Sequence, residues 1–243
     1  MRTPLVCPLI LSLSNAVVLV GCPASGWDGR VESWGEMRPV MREGQTQARV
    51  QLSEVIKRPH VYGVGAVEGL DGEIVIDNGR CWVARVIGPS LVVSPAPDSP
   101  ATLLIVSHVP AWTPVFIDHP LLAESVDGYV RAAAERAGID TTKPFPFVIE
   151  GEFADVLAHV VNGYCPKERP APSVERDHQP FQISRKSIRG KLIGFYAADS
   201  AGRLTHHGTE THIHLLVEPP NALAGHVETI SIASGATLRI PTQ

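Results

Sequence analysis

The sequence predicts an α+β protein rich in β-strands, with mixed sheets in two packed units and one main helix crossing between them. Short segments rich in Val and Ile, bounded by Gly, Pro, Asn or Asp, recur along the chain, which is typical of strands joined by turns. Only one stretch carries apolar residues at helical spacing over several turns. The 21 glycines and 21 prolines among 243 residues also favour turns over long helices.

The N-terminal 21 residues are predicted to be a signal peptide rather than part of the fold. Arg2 precedes an apolar run over 9–20, which ends in the tetrapeptide Leu19-Val20-Gly21-Cys22. This tetrapeptide resembles the lipobox of bacterial lipoproteins, which implies cleavage before Cys22 and a lipid on its thiol. We therefore expect an exported protein, periplasmic or at the cell surface, anchored to a membrane through Cys22. The alternative is a plain secretory signal or a short membrane anchor.

Residues 22–30 are predicted to be a linker, and 31–243 a domain with two β-rich halves at about 31–118 and 145–243. In the first half, strands are expected at 49–52, 61–67, 72–76, 81–86 and 102–108. In the second half, they are expected at 147–149, 156–161, 191–196, 211–217, 227–232 and 236–240, with a proline-rich loop over 166–180.

The main helix is predicted at 121–137, between the two halves. Val126, Val130 and Ala133 follow helical spacing, and Gly138 stands where a C-terminal capping glycine belongs.

Charge and cysteine content narrow the expected partners and bonds. A net charge of -4 with 6% aromatic residues gives no basic face for nucleic acid, so no nucleic-acid partner is expected.

Once the signal is removed and Cys22 is lipidated, Cys81 and Cys165 are the remaining pair of cysteines in an oxidising compartment. They either form a disulfide that closes a long loop or remain two buried thiols.

Five of the ten histidines lie between 206 and 226, and their spacing predicts a metal site. Side chains alternate across a strand, so His212 and His214 project from one face. His226 begins the next expected strand, close enough across an antiparallel pair to reach the same ion. Three imidazoles with an open fourth position are typical of catalytic zinc. The alternative is that the His-x-His pair merely lies on a solvated strand face.

An acidic residue, Glu73, is a further candidate for the site. It follows the turn Leu70-Asp71-Gly72, which feeds its carboxylate onto the start of an expected strand. Its alternative role is that of a solvent-facing hairpin acid, since nothing internal to the sequence brings it near the histidines.

Four motifs in order resemble the α-acetolactate decarboxylases, a bacterial zinc-dependent family. They are Leu70-Asp71-Gly72-Glu73, the segment GKLIGFY at 190–196, His212-Ile213-His214 and Gly225-His226-Val227. The last three follow the order and nearly the gaps of the family's C-terminal half, and the similarity runs from about 61 to 240. The resemblance implies the family fold, an α+β protein of β-rich units with the metal between them.

The resemblance also implies an activity and the residues that carry it. His212, His214 and His226 would hold Zn²⁺, and Glu73 would be the inner acid that contacts the zinc-bound region or handles protons. The substrate would be a 2-hydroxy-3-keto acid, 2-acetolactate, which loses CO₂ to give acetoin. A homodimer is a further possible assembly of the protein.

Two departures from the family pattern put the reaction in question. His159 stands where the family carries a substrate-facing arginine, and an imidazole lacks that fixed charge and two-pronged geometry. The sequence ends at Gln243, before the tail in which the family carries a second active-site glutamate. The candidates to replace that acid are Glu210, Glu228, His206 and His207.

Two other functions therefore stay open. A zinc-dependent ester or lactone hydrolase would use a metal-bound water on the same three histidines. A non-catalytic lipoprotein would only bind zinc or a small hydroxyacid, and this alternative is favoured if Glu73 and His159 lie far from the metal.

Overall fold

Two β-sheets packed across a shared core make up the part of the chain that the structure describes, residues 26–165 and 179–243 of a computed structural model. Every pairing between its strands is antiparallel within those residues, and the helices are few and short. The predicted α+β, β-rich fold class is confirmed. The signal peptide, Cys22 and positions 166–178 of the predicted loop lie outside the described residues.

The first sheet has seven strands in the spatial order β1-β7-β3-β4-β5-β6, with β2 beside β7. Its strands are β1 Glu32–Trp34, β2 Val50–Gln51, β3 Val61–Val67, β4 Glu73–Asp77, β5 Arg80–Ile87, β6 Ser90–Pro95 and β7 Pro100–His108. Four of the five strands expected in the first half are recovered to within two residues. The fifth, at 49–52, is cut to the two residues of β2, because the chain turns into a helix at Leu52.

The second sheet has six strands in the order β10-β11-β12-β9-β13-β8. They are β8 Trp112–Phe116, β9 Phe145–Val160, β10 Phe181–Tyr196, β11 Thr211–Val217, β12 Leu223–Ile232 and β13 Thr237–Pro241. Strand β10 also pairs with β9 along most of its length, so β9, β10, β11 and β12 form a closed ring of paired strands.

The helices are α1 Met37–Glu43, α2 Leu52–Val55 and α3 Val126–Arg136, with 3-10 turns at Glu68–Leu70 and Ala123–Ser125. The main helix is thus shorter than the predicted 121–137, because Leu121 is held by backbone pairing with Ile232. The chain enters the second sheet before this helix, since β8 pairs with β13. The boundary between the two β-rich halves, expected at about 118, therefore falls earlier, between β7 and β8. Within the described residues, no helix has the length and apolar character needed to cross a bilayer.

Strand β9 corrects the prediction of two separate strands at 147–149 and 156–161. It is paired with β10 from Phe145 to Val160. The positive φ of 48° at Asp155 and two register shifts against β12 show an irregular strand that bends without ending.

Side chains of the first sheet alternate between an outer cluster and the face toward the second sheet. On β4, Ile74 and Ile76 belong to the outer cluster, whereas Val75 packs in the core shared by both sheets. Cys81 lies in the outer cluster, and Cys165 packs with Ala66 and Leu103 on the inner face. The two cysteines do not form a disulfide with each other, because the first sheet stands between the two thiols, so the disulfide alternative is wrong.

Ion pairs tie the two sheets together at one end of β4. Lys191 Nζ of β10 lies 2.6 Å from Asp77 Oδ2 and 3.4 Å from Glu218 Oε1. Arg80 Nη2 of β5 lies 2.7 Å from the same Glu218 oxygen. Burial lowers the pKa of Lys191, but the two carboxylates outweigh it, so the pKa is raised overall.

Candidate metal centre

The three predicted histidines lie on one face of the two neighbouring strands β11 and β12. His212 and His214 are two residues apart on β11, and His214 is directly opposite His226 in the antiparallel register. At most 5% of any of the three is exposed, so the face is buried and not solvated. The prediction of one converging group is therefore confirmed, although β12 begins at Leu223, earlier than expected.

Distances within this trio fit a single tetrahedral ion. One ligand atom from each residue lies within 4.8 Å of the others, and the Nε2 atoms of His212 and His214 are 3.1 Å apart. The ring centroids are separated by 5.0, 5.0 and 5.3 Å. Three imidazoles at zinc-nitrogen distances of 2.0–2.1 Å in tetrahedral geometry would have centroids about 5.2 Å apart. The donor set thus fits zinc.

The protonation of the trio also suits metal binding. His214 donates Nδ1–H to the carbonyl oxygen of Ile74 at 2.9 Å, which leaves the Nε2 lone pair facing the other rings. Burial lowers the pKa of His214 to about 3 and lowers the pKa values of His212 and His226 well below their usual range. Neutral imidazole is the form that binds metals.

Glu73 is brought to the trio by the first sheet. Its side chain is 4% exposed, its Oε2 lies 3.6 Å from His214 Nε2, and its Oε1 accepts a hydrogen bond from Val161 N at 3.3 Å. Burial raises the pKa of Glu73 to about 8, opposed in part by the Val161 N–H. The site is therefore built between the sheets, and the alternative of a solvent-facing hairpin acid is wrong.

Two glycines allow the close approaches that position these side chains. Gly72, just before Glu73, has a φ of +122°, and a Cβ there would lie 2.2 Å from the Ala84 carbonyl oxygen. Gly225, just before His226, has no room either, since a Cβ would lie 2.7 Å from the carbonyl oxygen of His159.

His159 lies on β9 opposite His226, and its ring centroid is 5.1 Å from that of His226. Only 1% of it is exposed, and Nδ1 donates to Glu228 Oε1 at 2.7 Å. Because Nδ1 is engaged by this carboxylate, Nε2 is the ring nitrogen left for other partners. All five site residues predicted from the sequence thus lie together.

The four candidates for a second acidic or basic group in the site lie in different places relative to the three histidines. His206 is 6% exposed, with its ring 4.8 Å from that of His226 and 6.3 Å from that of His212. The longer distance exceeds the ligand spacing, so His206 borders the trio without joining it. Glu228 touches the site through His159, whereas Glu210 accepts a hydrogen bond from the Tyr196 hydroxyl and His207 is exposed.

A small pocket of about 10 Å³ lies among these groups, with room for about one water molecule. Its walls include Glu73, His159, His206, His212 and His226. A carboxyl group and four imidazoles therefore border one small volume, and His214 lies beside Glu73.

The fold and the site define a β-rich protein of two sheets with three buried histidines arranged to hold one metal ion. Residues 37–242 match the family model of alpha-acetolactate decarboxylase. The chain therefore belongs to the alpha-acetolactate decarboxylase family, as its motifs predict.

Solved structures support the same fold. Alpha-acetolactate decarboxylase from Bacillus subtilis strain 168 superposes with a TM-score of 0.66 at 17% identity, covering 88% of this chain and 86% of that one. Acetolactate decarboxylase from Bacillus subtilis subspecies spizizenii has the same score and coverage at 20% identity. A Staphylococcus aureus protein described as of unknown function and similar to alpha-acetolactate decarboxylase scores 0.61 at 14% identity, with the same coverage. No curated protein matches the chain at a significant level.

Proposed function

We propose that this chain is a zinc-dependent decarboxylase that converts 2-acetolactate, a 2-hydroxy-3-keto acid, to acetoin and CO₂. The observation that carries the proposal is the convergence of Glu73 from the first sheet with the three histidines of the second. Family membership over residues 37–242 supports it.

His212, His214 and His226 would hold the ion, and each supplies a neutral nitrogen. Bound zinc would supply Lewis acidity, which stabilises the negative charge that develops as the carbon–carbon bond to CO₂ breaks. The electron pair of that bond stays on the product carbon, which must then gain a proton.

In this proposal Glu73 delivers that proton, because its Oε2 lies 3.6 Å from Nε2 of His214, beside the small pocket. The two packed sheets leave room there for about one water molecule, and this low exposure to solvent strengthens each polar contact. His159 borders the same pocket, and its imidazole would give a substrate carboxylate less grip than an arginine would.

The test is turnover of racemic acetolactate by zinc-loaded protein, with acetoin as the measured product. Metal-free protein and the double variant His212→Ala/His214→Ala are the controls, and neither should form acetoin. The variant His159→Arg runs alongside and should raise kcat/KM if the grip on the carboxylate limits the reaction. Absence of acetoin with fully zinc-loaded protein, wild type and His159→Arg alike, would overturn the proposal.

A zinc-dependent ester or lactone hydrolase is the second candidate. It is favoured by the lining of the small pocket, where the described residues include no arginine or lysine to hold a carboxylate. A panel of uncharged esters and lactones tests it, and hydrolysis without acetoin formation would favour it over the decarboxylase. The non-catalytic alternative loses its main support, because Glu73 and His159 both border the ligands.

We also propose that the protein is exported and anchored at Cys22, on the sequence 19–22 alone. The variant Cys22→Ala should move the protein from the membrane fraction to a soluble exported fraction. Retention of the variant in the membrane would contradict lipidation at this cysteine.

A further inference from the structure

A cavity of about 300 Å³ lies at the end of β4 away from the metal centre. Asp77 lines it, four residues along the strand from Glu73, which is about 13 Å at the rise of an extended strand. Its wall comes from both sheets, with residues of β3, β4 and β5 from the first and of β8, β9, β10 and β13 from the second. Small-molecule sites begin at about this volume and often lie at such junctions.

Two aromatic side chains form the main apolar part of the wall. Tyr62 of β3 and Trp112 of β8 meet edge to face, with ring centroids 4.9 Å apart and an angle of 88° between the ring planes. Each ring belongs to a different sheet, and Tyr62 is only 9% exposed, so packing fixes both rings. The cavity therefore has a rigid aromatic corner.

Charged side chains complete the wall, and each cation among them is already paired with a carboxylate. Lys191 Nζ lies 2.6 Å from Asp77 Oδ2, and Arg239 Nη2 lies 3.0 Å from Glu150 Oε2. Arg80 is held by the ion pair described above. An anion entering the cavity would have to compete with these carboxylates, so the wall does not favour an anionic ligand.

Paired charges of this kind suit hydroxyl groups. A carboxylate has lone pairs for about four hydrogen bonds and a guanidinium has five N–H donors, so each pair keeps both donors and acceptors for a ligand. A hydroxyl group donates and accepts at once, and hydrogen bonds to charged groups are stronger than those between neutral groups. Because the ion pairs hold the side chains in place beforehand, binding costs less conformational entropy.

A sugar combines the two features that this wall recognises. Its ring presents C–H groups on a face and hydroxyl groups around the edge. We propose that the cavity binds a neutral sugar, whose ring packs on Trp112 and whose hydroxyls bind the Asp77–Lys191 and Glu150–Arg239 pairs. The site is separate from the metal centre and does not depend on the reaction proposed there.

Titration of the zinc-loaded protein with the methyl glycosides of glucose, galactose, mannose and N-acetylglucosamine tests the proposal by calorimetry and tryptophan fluorescence. At least one glycoside should bind saturably, with a dissociation constant on the order of 1 mM. Cyclohexanol, a ring with a single hydroxyl, should bind at least about tenfold more weakly. Absence of saturable binding of every glycoside, or tighter binding of cyclohexanol or sulfate than of any glycoside, would overturn the proposal.

The aromatic part of the wall is tested with Trp112→Ala. Loss of the indole should raise the dissociation constant of the bound glycoside at least about tenfold and abolish its fluorescence signal. Phe116→Ala is the matched control, since Phe116 is an exposed aromatic residue on the same strand outside the cavity. Equal effects of the two variants would overturn the role of Trp112.

The polar part is tested with Arg239→Gln, which also serves if Trp112→Ala does not fold. Arg239 and Glu150 are 42% and 45% exposed, so loss of their ion pair should change stability little. The dissociation constant should rise about tenfold with zinc content unchanged. Arg189→Gln, the same change at an exposed arginine outside the cavity, should bind as the wild type does. Wild-type affinity in Arg239→Gln would overturn the assignment of this pair to the sugar hydroxyls.

Discussion

The two ends of strand β4 carry buried acids with different partners. Glu73 and Asp77 lie on the same face and are 4% and 5% exposed. Asp77 meets Lys191 at 2.6 Å, whereas the described residues give Glu73 no lysine or arginine, only His214 at 3.6 Å and one backbone N–H. The two carboxylates are equally buried, so what distinguishes the ion-paired Asp77 from Glu73, the acid of the proposed reaction, is the partner of each and not its burial.

The largest effect is expected when His214, the side-chain partner of Glu73, is removed together with His212. In His212→Ala/His214→Ala two of three ligands are lost, so metal content should fall from about one zinc per chain to a trace. Metal analysis of purified protein measures this, with His119→Ala, an exposed histidine, as control. Full zinc content in the double variant would show that these histidines do not hold the metal, and the proposed role of Glu73 beside it would be wrong.

The next effect concerns Glu73 itself. Glu73→Gln keeps the shape and the acceptor for Val161 but loses the acid, so acetoin formation should fall by about 10²- to 10³-fold with zinc retained. Because burial of this carboxyl is costly, the variant should also raise the free energy of unfolding of the metal-free protein by about 1 kcal/mol. Activity near wild type would show that Glu73 is structural after all.

A substitution at Asp77 should have the opposite pattern of effects, with lower stability and unchanged zinc binding. Asp77→Asn leaves Lys191 without its closest carboxylate, but Lys191 is 27% exposed and still has Glu218 at 3.4 Å. We expect a loss of about 2 kcal/mol in the free energy of unfolding, with zinc content unchanged. Denaturant unfolding measures it, against Asp98→Asn as an exposed control. A loss of zinc would mean that the two ends are coupled.

The smallest effect is expected at Arg80, the exposed member of the ion pairs that Asp77, Lys191 and Glu218 form. Arg80→Ala breaks the 2.7 Å pair with Glu218, but the arginine side chain is 58% exposed and its charge is screened by water. The free energy of unfolding should change by less than about 0.5 kcal/mol in the same denaturation experiment. A change as large as that of Asp77→Asn would show that the pairs act as one unit.

The sequence predicts the histidine trio well because two-residue spacing and strand pairing are local rules. His212 and His214 share a face by alternation, and one antiparallel pairing places His226 opposite. Glu73 could be singled out from its turn and from the family motif, but its position beside the histidines could not be predicted, since it depends on how one sheet packs on the other.

Other features depended on contacts that no local pattern records. Strand β9 is predicted as two strands because the sequence does not show that the strand continues through the bend at Asp155. Helix α1 carries Pro39 and only seven residues, too few for a clear period. The pairing of Cys81 with Cys165 fails because alternation puts the first on the outer face of the sheet, which the sequence alone could not orient.

The closed ring of strands β9 to β12 has a consequence for the loading of the ion. The two strands that carry the three histidines, and β9 with His159, each have a paired strand on both sides, although at His212 itself β11 is paired with β10 alone. No ligand strand is free to slide or peel away on its own, so the rings hold their spacing before any ion arrives. Chelation should thus strip the metal without unfolding the chain, and readdition should restore the centre without a refolding step.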